Sequence, residues 1–367
     1  MLEVRRLMIA GAVVAVAIVI SCASVWGDPS GDKAARDKER ERRAWLRGEE
    51  IIRPVAGDAT PVAEDTTKNR FVDLPVIAYA QPSGDHLVAL QVQPGLATLQ
   101  PRPTDYLVMV DTSASKAMGH LSASVKMVEE LRKLLKEEDR IAIWTANITA
   151  KDLTRGFKTA KELDAAMKDL HAELPLGAVD LEKSLTTAVD SFEPKQSRNR
   201  AVVFLGDGKS VANPLGAEER EKLIKLLNKK QAGFFPVPMG VSMDPANLHG
   251  LSIGSGGKTV RHGARETPEA LVTRLVKEIA EPVLQPTEFT LPAELTDMVP
   301  SVLPPLRRDQ STLVVARVKA GTKVPASIVW KVSGEVAGQV ARAQGTLTVP
   351  APEDDHFFLA GMYDQWR

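Results

Sequence analysis

The chain has 367 residues, of which 44% are hydrophobic and 26% charged; this composition predicts a globular protein of roughly two domains and excludes a wholly disordered one. Lysine plus arginine and aspartate plus glutamate each number 47, so the net charge is zero and no basic surface for nucleic acid is indicated. The single cysteine, Cys22, excludes an intrachain disulfide framework and a cysteine-ligated zinc cluster, and six scattered histidines argue against a histidine-rich metal centre.

Residues 1–27 have the pattern of an export signal or a membrane anchor. Arginines precede an apolar run from residue 7 to about residue 25. The motif Val-Ile-Ser-Cys, which ends at Cys22, is similar to a bacterial lipobox, in which the cysteine would be lipidated. Ordinary cleavage after Ala23 or Gly27 and an uncleaved membrane anchor are the open alternatives. Each of the three predicts that the rest of the chain is exported, either attached to the cell envelope or secreted.

Two segments precede the central part of the chain. Residues 28–65 are rich in mixed charges with little to bury, which predicts a solvated or flexible linker. Residues 66–102 are strand-like: the β-branched runs 71–80 and 87–92 flank a Gln-Pro-Ser-Gly-Asp turn signal. We expect a hairpin or edge strands attached to the domain that follows.

The stretch 105–115, D-Y-L-V-M-V-D-T-S-A-S, combines a buried strand with a cluster of oxygen donors. Residues 106–110 are apolar without alternation, which is typical of a strand buried on both faces of a parallel sheet. The run ends in Asp111, Ser113 and Ser115, and hard oxygen donors at the carboxyl end of a strand suit a small divalent cation. Taken singly, the serines are also explained as turn or helix-capping residues.

Residues 103–284 alternate between strand and helix patterns. Further strands are predicted at 141–144, 201–205 and 234–237, and helices at 121–135, 160–170, 180–192, 217–227 and 268–280. This alternation predicts an α/β fold, a doubly wound and mostly parallel sheet with helices on both faces. The strand at 201–205 runs into Gly206-Asp207-Gly208, which supplies a second carboxylate at a strand end.

These motifs resemble those of the von Willebrand factor type A (VWA) family over about half of the chain. In that family the pattern D-x-S-x-S, here Asp111, Ser113 and Ser115, opens a metal-ion-dependent adhesion site, and Asp207 matches the aspartate of the third loop. The second loop of the family carries threonine in G-x-T-[DN]-[LI]. Here it reads Gly-Ala-Val-Asp-Leu, so Val179 replaces one expected metal ligand.

The resemblance implies a Rossmann-like fold and a site for Mg²⁺, or for Mn²⁺ or Ca²⁺. Asp111, Ser113, Ser115 and, through water, Asp207 would hold the ion, and an acidic side chain of a protein partner would complete its shell. Because valine has no side-chain oxygen, Val179 predicts a weakened or altered response to ligand.

Other polar features have simple structural explanations. Asp180 is expected to be a helix N-cap, although it could substitute for the missing threonine. The run 254–259, Gly-Ser-Gly-Gly-Lys-Thr, lacks the P-loop spacing because position 252 is Ser252, and we expect a turn before a short strand at 258–260. His120 is expected to be a surface histidine that activates neither serine of the motif.

The carboxyl-terminal part predicts a small all-β, sandwich-like domain at 285–350, after a linker at 282–286. Its β-branched runs lie at 288–291, 311–318, 326–332 and 344–349. Residues 351–367 begin like a helix and end without a terminating signal, so we expect a further segment that starts here or a truncated chain.

Together these patterns predict an exported VWA protein that binds another protein or mediates adhesion and is not an enzyme. A metal-independent envelope scaffold is the alternative that Val179 favours. A metal-dependent hydrolase has the least support, because no nucleophile, base and orienting group fall together in the sequence.

Overall fold

A computed structural model of the protein describes residues 74–193, 198–240, 242–263 and 265–367. The predicted export segment, 1–27, and the charged linker, 28–65, lie outside these ranges. Within the described ranges, no helix is both long enough and apolar enough to cross a membrane.

Strands and helices are numbered here in chain order through the described residues. The strands are β1 Val76–Ala80, β2 His86–Val92, β3 Thr104–Asp111, β4 Arg140–Ala146, β5 Lys151–Asp152, β6 Asn199–Gly206, β7 Gly233–Pro238, β8 Val283–Thr290, β9 Thr296–Val299, β10 Leu306–Arg307, β11 Thr312–Val318, β12 Ser327–Val336 and β13 Gln339–Thr348. The helices are α1 His120–Leu134, α2 Asp164–Ala172, α3 Leu181–Asp190, α4 Ala217–Lys229, α5 Pro245–Gly254, α6 Pro268–Ala280 and α7 Phe358–Trp366.

The central sheet has the strand order β5-β4-β3-β6-β7. Strand β3 pairs in parallel with β4 and β6, β6 pairs in parallel with β7, and β5 is a short antiparallel edge strand. Every residue of β3 is buried, as its unbroken apolar run predicts. Val108 and Val110 belong to the core on one face of the sheet, and Leu107 and Met109 belong to the core on the other. The predicted doubly wound, mostly parallel sheet is confirmed.

The carboxyl ends of β3 and β6 lie side by side, since Val110 pairs with Leu205. A Cβ on Gly206 would lie 2.8 Å from Cβ of Asp111 and 2.6 Å from the Phe204 ring, closer than real Cβ atoms approach. Glycine at this position therefore allows the end of β6 to pass the end of β3. The same strand ends carry the predicted site.

The helices follow the predicted pattern with one omission. The expected N-cap role of Asp180 is confirmed, because its side chain accepts a hydrogen bond from Lys183 N. Helix α5 was not predicted, although Asp244 caps it and Pro245 occupies its first turn, both recognisable helix-start signals. The short strand expected at 258–260 is wrong: this segment is not a strand in the structure, and Val260 N donates one hydrogen bond to Pro236 O.

The carboxyl-terminal part is a β-sandwich, as predicted. Its two four-stranded sheets have the orders β1-β2-β11-β9 and β10-β8-β12-β13. Leu90 of one sheet and Ile328 and Trp330 of the other belong to a shared apolar core. Helix α7 covers the other face of the first sheet, where Leu359 and Tyr363 join the apolar cluster.

Two sequence-based expectations about this part are corrected. The hairpin within 66–102 was expected to adjoin the central domain, but β2 pairs with β11 and thereby completes the sandwich. The expected linker at 282–286 lies largely in strand β8. Pro286 is tolerated there because it faces Gly334 at a break in the register with β12, and prolines within sheets concentrate at such irregularities. The other domain boundaries stay predictions.

A charged cluster joins the sandwich to the α/β domain. The Arg307 guanidinium, 3% exposed, donates to Glu278 O at 3.0 Å, to Glu278 Oε2 at 3.1 Å and to Asp309 Oδ1 at 2.8 Å. Lys258 Nζ lies 2.9 Å from both Glu278 Oε2 and Asp309 Oδ2. The Gly-Ser-Gly-Gly-Lys-Thr run belongs to this junction: Arg307 also donates to Gly256 O at 3.3 Å. A Cβ on Gly256 would lie only 2.8 Å from Pro305. The run therefore has a structural role at this junction, although the short strand expected after it is absent.

This junction predicts an acid-sensitive component of stability. Burial alone would raise the pKa of Asp309, but hydrogen bonds from Arg307 and Lys258 lower it to about 2. A carboxyl group with a lowered folded-state pKa stabilises the fold above its unfolded pKa of about 4. That contribution disappears as the pH falls from about 4 through about 2. We expect Asp309→Asn to reduce the free energy of unfolding by about 1 kcal/mol at neutral pH and to flatten its fall below pH 4.

Denaturant unfolding at pH 7, 4 and 2 measures this difference. Asp355→Asn, which removes an exposed carboxylate, is the matched control and should leave both the stability and its pH dependence unchanged. Equal pH profiles for the native protein and Asp309→Asn would contradict the prediction.

Candidate site at the carboxyl edge of the parallel sheet

The four predicted metal-site residues meet at one edge of the sheet. Asp111 ends β3, Ser113 and Ser115 lie in the following turn, and Asp207 follows β6. Ser113 N donates to Asp111 Oδ1 at 2.9 Å, Ser113 Oγ lies 3.0 Å from Ser115 Oγ, and Ser115 Oγ donates to Asp207 Oδ2 at 3.1 Å. The structure thus brings together all four predicted metal-site residues.

A fifth side chain, which the sequence analysis missed, lies between the two carboxylates. Lys116 is fully buried, and its Nζ donates to Asp207 Oδ2 at 2.6 Å and to Met239 O at 2.9 Å. The same nitrogen lies 3.4 Å from Asp111 Oδ2. The ammonium group therefore forms ion pairs with both predicted metal-binding aspartates.

The charges of this cluster constrain each other. Burial raises the pKa of Asp111, while the positive charge of Lys116 and hydrogen bonds from Ser113 act in the opposite direction. Among the described residues, Asp111 Oδ2 has no hydrogen-bond partner, so its ion pair with the ammonium is its main compensation for burial. The formal charge of two carboxylates and one ammonium is −1.

The residues present do not fit a divalent metal ion. Mg²⁺ requires oxygen ligands at about 2.0–2.1 Å in near-octahedral order. An ion bound to Asp111 and Asp207 would compete for the same carboxylates with the Lys116 ammonium, whose charge would repel it.

The second loop offers no substitute oxygen at the usual position. Val179 is 2% exposed and belongs to the same apolar core as Leu181 and Phe204. Its carbonyl accepts a hydrogen bond from Ala212 N at 3.0 Å, so it links the second loop to the loop that follows Asp207. At this position a core contact replaces the expected ligand.

Backbone hydrogen bonds connect the loops around the site. Leu176 N donates to Thr112 O at 3.0 Å, and Ala114 N donates to Gly177 O at 3.0 Å. Asn147, which follows β4 and was also missed, donates from Nδ2 to Leu176 O at 2.7 Å and to Thr112 O at 3.2 Å. The sequence signal that could have identified Asn147 is its position directly after a buried strand. These contacts make the loops one connected surface.

Exposed apolar side chains are concentrated on these loops. Five large apolar side chains, each more than half exposed, lie there: Met118, Ile148, Leu174, Leu176 and Val211. We call this group the apolar rim. Among described residues between 105 and 260, the other exposed large apolar side chains are Leu134 and Ile253, which lie near the carboxyl-terminal ends of helices α1 and α5 and not on these loops.

Comparison with known families identifies the domain that carries this site. The family description "von Willebrand factor type A domain" matches residues 105–260. These residues form a VWA domain. VWA domains commonly mediate protein–protein interactions and commonly bind a divalent metal. In this VWA domain, the Lys116 ammonium pairs with Asp111 and Asp207, the two carboxylates that the sequence predicted as metal-binding.

Solved structures are similar to the chain at low sequence identity. A von Willebrand factor type A protein from Catenulispora acidiphila is 12% identical with a TM-score of 0.49, over 77% of this chain and 74% of that one. The ArnB paralog VWA2 from Sulfolobus acidocaldarius is 15% identical with a TM-score of 0.45, over 80% of this chain and 82% of that one. An aerotolerance-related membrane protein from Bacteroides fragilis is 13% identical with a TM-score of 0.40, over 48% of this chain and 98% of that one. No curated protein sequence matches significantly.

The ion pair between Lys116 and Asp207 should stabilise the domain. Asp207→Asn keeps the shape of the side chain but leaves the buried ammonium with Asp111, at 3.4 Å, as its one remaining carboxylate beside the Met239 carbonyl. We expect the free energy of unfolding to fall by roughly 3 kcal/mol, as when one partner of a buried pair is removed.

Chemical denaturation measures that loss. Lys209→Met, on the same loop but exposed, should change stability by less than about 0.5 kcal/mol. If Asp207→Asn were as stable as this control, the ion pair would not hold the site together.

Proposed function

We propose that this protein is a non-enzymatic protein-binding module whose VWA domain docks a partner through the apolar rim, without a divalent metal. The observation that carries this proposal is the concentration of exposed apolar side chains on the loops of the site. Met118 is 96% exposed, and its φ of 63° places it in the left-handed region, which costs energy for a residue other than glycine. Contiguous exposed apolar patches commonly mark interaction surfaces, and we propose that the apolar rim is such a patch.

The charge of the buried cluster favours an apolar partner over an acidic one. The sequence-based expectation was a partner carboxylate that completes the shell of Mg²⁺. Asp111, Asp207 and Lys116 carry a formal charge of −1 together, which does not attract a carboxylate. A partner that presents apolar side chains would instead bury the rim, with no need for a metal.

The serines of the motif lack the environment of a nucleophile. Ser115 donates to Asp207, and Asp207 is paired with the Lys116 ammonium, which has no lone pair with which to accept a proton. We therefore propose no hydrolase activity.

We also propose that the module is exported and acts at the cell envelope, as an interaction or scaffold protein. The pattern of residues 1–27 supports this location. Cell fractionation should recover the chain in the envelope or secreted fraction; recovery from the cytoplasm alone would contradict the proposed location.

Site-specific photo-crosslinking tests the docking surface. A photoreactive amino acid at Leu176 should crosslink one discrete partner in cells, whereas the same group at Ile253, an exposed apolar position on α5, should not. Met118→Lys should abolish the Leu176 crosslink by placing a charge in the apolar interface, and Ile253→Lys should leave it intact.

The chelator EDTA separates the two binding modes. We expect the Leu176 crosslink to persist in EDTA. Loss of the crosslink in EDTA would favour the metal-dependent mode, and identical crosslinks from Leu176 and Ile253 would contradict the proposed surface.

A further inference from the structure

Lys116 connects the ends of three neighbouring strands. Its Nζ contacts Asp111 at the end of β3, Asp207 after β6 and the Met239 carbonyl after β7. We infer that Lys116 is a built-in cation, an ammonium that is tethered to the chain and takes the place of the divalent metal of a VWA adhesion site.

The surroundings of Nζ provide the oxygen contacts that a buried cation requires. An ammonium group has three N–H donors and is costly to bury unless it is paired. One carboxylate oxygen and one carbonyl oxygen accept hydrogen bonds from it, and a second carboxylate lies within ion-pair distance. Gly240 lies beside the ammonium in the loop after β7, and its φ of 128° is a backbone conformation that favours glycine.

The position of the lysine explains how it reaches the site. It directly follows Ser115 in the motif, so the turn that presents Ser113 and Ser115 also carries the cation. A tethered cation cannot dissociate. Its presence at the site does not depend on the concentration of divalent ions, and it leaves no open coordination position for a partner carboxylate.

This inference rests on the proposed function for its biological meaning. It adds to that function by naming the Lys116 ammonium as the group that makes the site independent of metal. Its test needs no partner. Metal binding and thermal stability are read on the isolated full chain, so a failure here is distinguishable from a failure to find a docked protein.

Thermal unfolding of four full-length proteins, each in EDTA and in millimolar Mn²⁺, tests the inference. The proteins are the native chain, Lys116→Met, the double variant Lys116→Met/Val179→Thr and the exposed control Lys209→Met. The native Tm should be the same in both conditions. Lys116→Met should lower the Tm in EDTA by at least about 5 °C, because it leaves two buried carboxylates unpaired.

Mn²⁺ should raise the Tm of the double variant, which lacks the ammonium and regains the threonine hydroxyl, since a ligand that binds only the folded state stabilises it. Lys209→Met should behave like the native chain.

Three results would overturn the inference. The first is a native Tm that rises in Mn²⁺, and the second is an unchanged Tm of Lys116→Met in EDTA. The third is a double variant that folds but does not respond to Mn²⁺, which would make Lys116 an ordinary ion-pair partner. If no Lys116 variant folds, the electron paramagnetic resonance signal of free Mn²⁺ in the presence of the native protein decides the question. The inference predicts that the native protein does not reduce this signal. It would be overturned if the native protein reduced the signal in a saturable way and Asp111→Asn removed that effect.

Discussion

The arrangement of the site depends on a buried ammonium placed between two buried carboxylates. Asp111 and Asp207 end or follow adjacent strands of a parallel sheet, so the backbone forces their negative charges together. Such a pair is unstable without a cation within a few ångströms. Lys116 provides that cation from within the chain, with Nζ at 2.6 Å and 3.4 Å from the two carboxylates. The same contact fixes the turn that carries the motif serines and, through Met239, the end of β7.

Local sequence patterns predicted most of the α/β domain, because its strands are buried on both faces and its helices are amphipathic. The unbroken apolar run of β3 and the helix start at Asp180 are signals that a few neighbouring residues contain. The placement of the β1–β2 hairpin could not be predicted in this way. Its partner β11 lies more than 200 residues further along the chain, and strand patterns do not reveal which strands pair across such a distance.

Within the site, the sequence predicted the carboxylates and hydroxyls, and the structure brings them together. It did not predict Lys116, whose role depends on a side chain that folds back between two aspartates 96 residues apart in sequence, Asp111 and Asp207. The substitution at Val179 is the one sequence signal that pointed towards metal independence. The structure explains this substitution. Val179 belongs to an apolar core, and the Lys116 ammonium supplies the positive charge that we infer replaces that of a metal.

The central claim, that Lys116 occupies the place of the metal, is tested most directly by a crystal structure of the native protein grown with Mn²⁺. Data collected at the manganese absorption edge locate the ion independently of the protein density. The account predicts no anomalous peak at this site and Nζ of Lys116 within hydrogen-bond distance of Asp207 and Met239. An anomalous peak coordinated by Asp111 and Ser115, with Lys116 displaced, would contradict it.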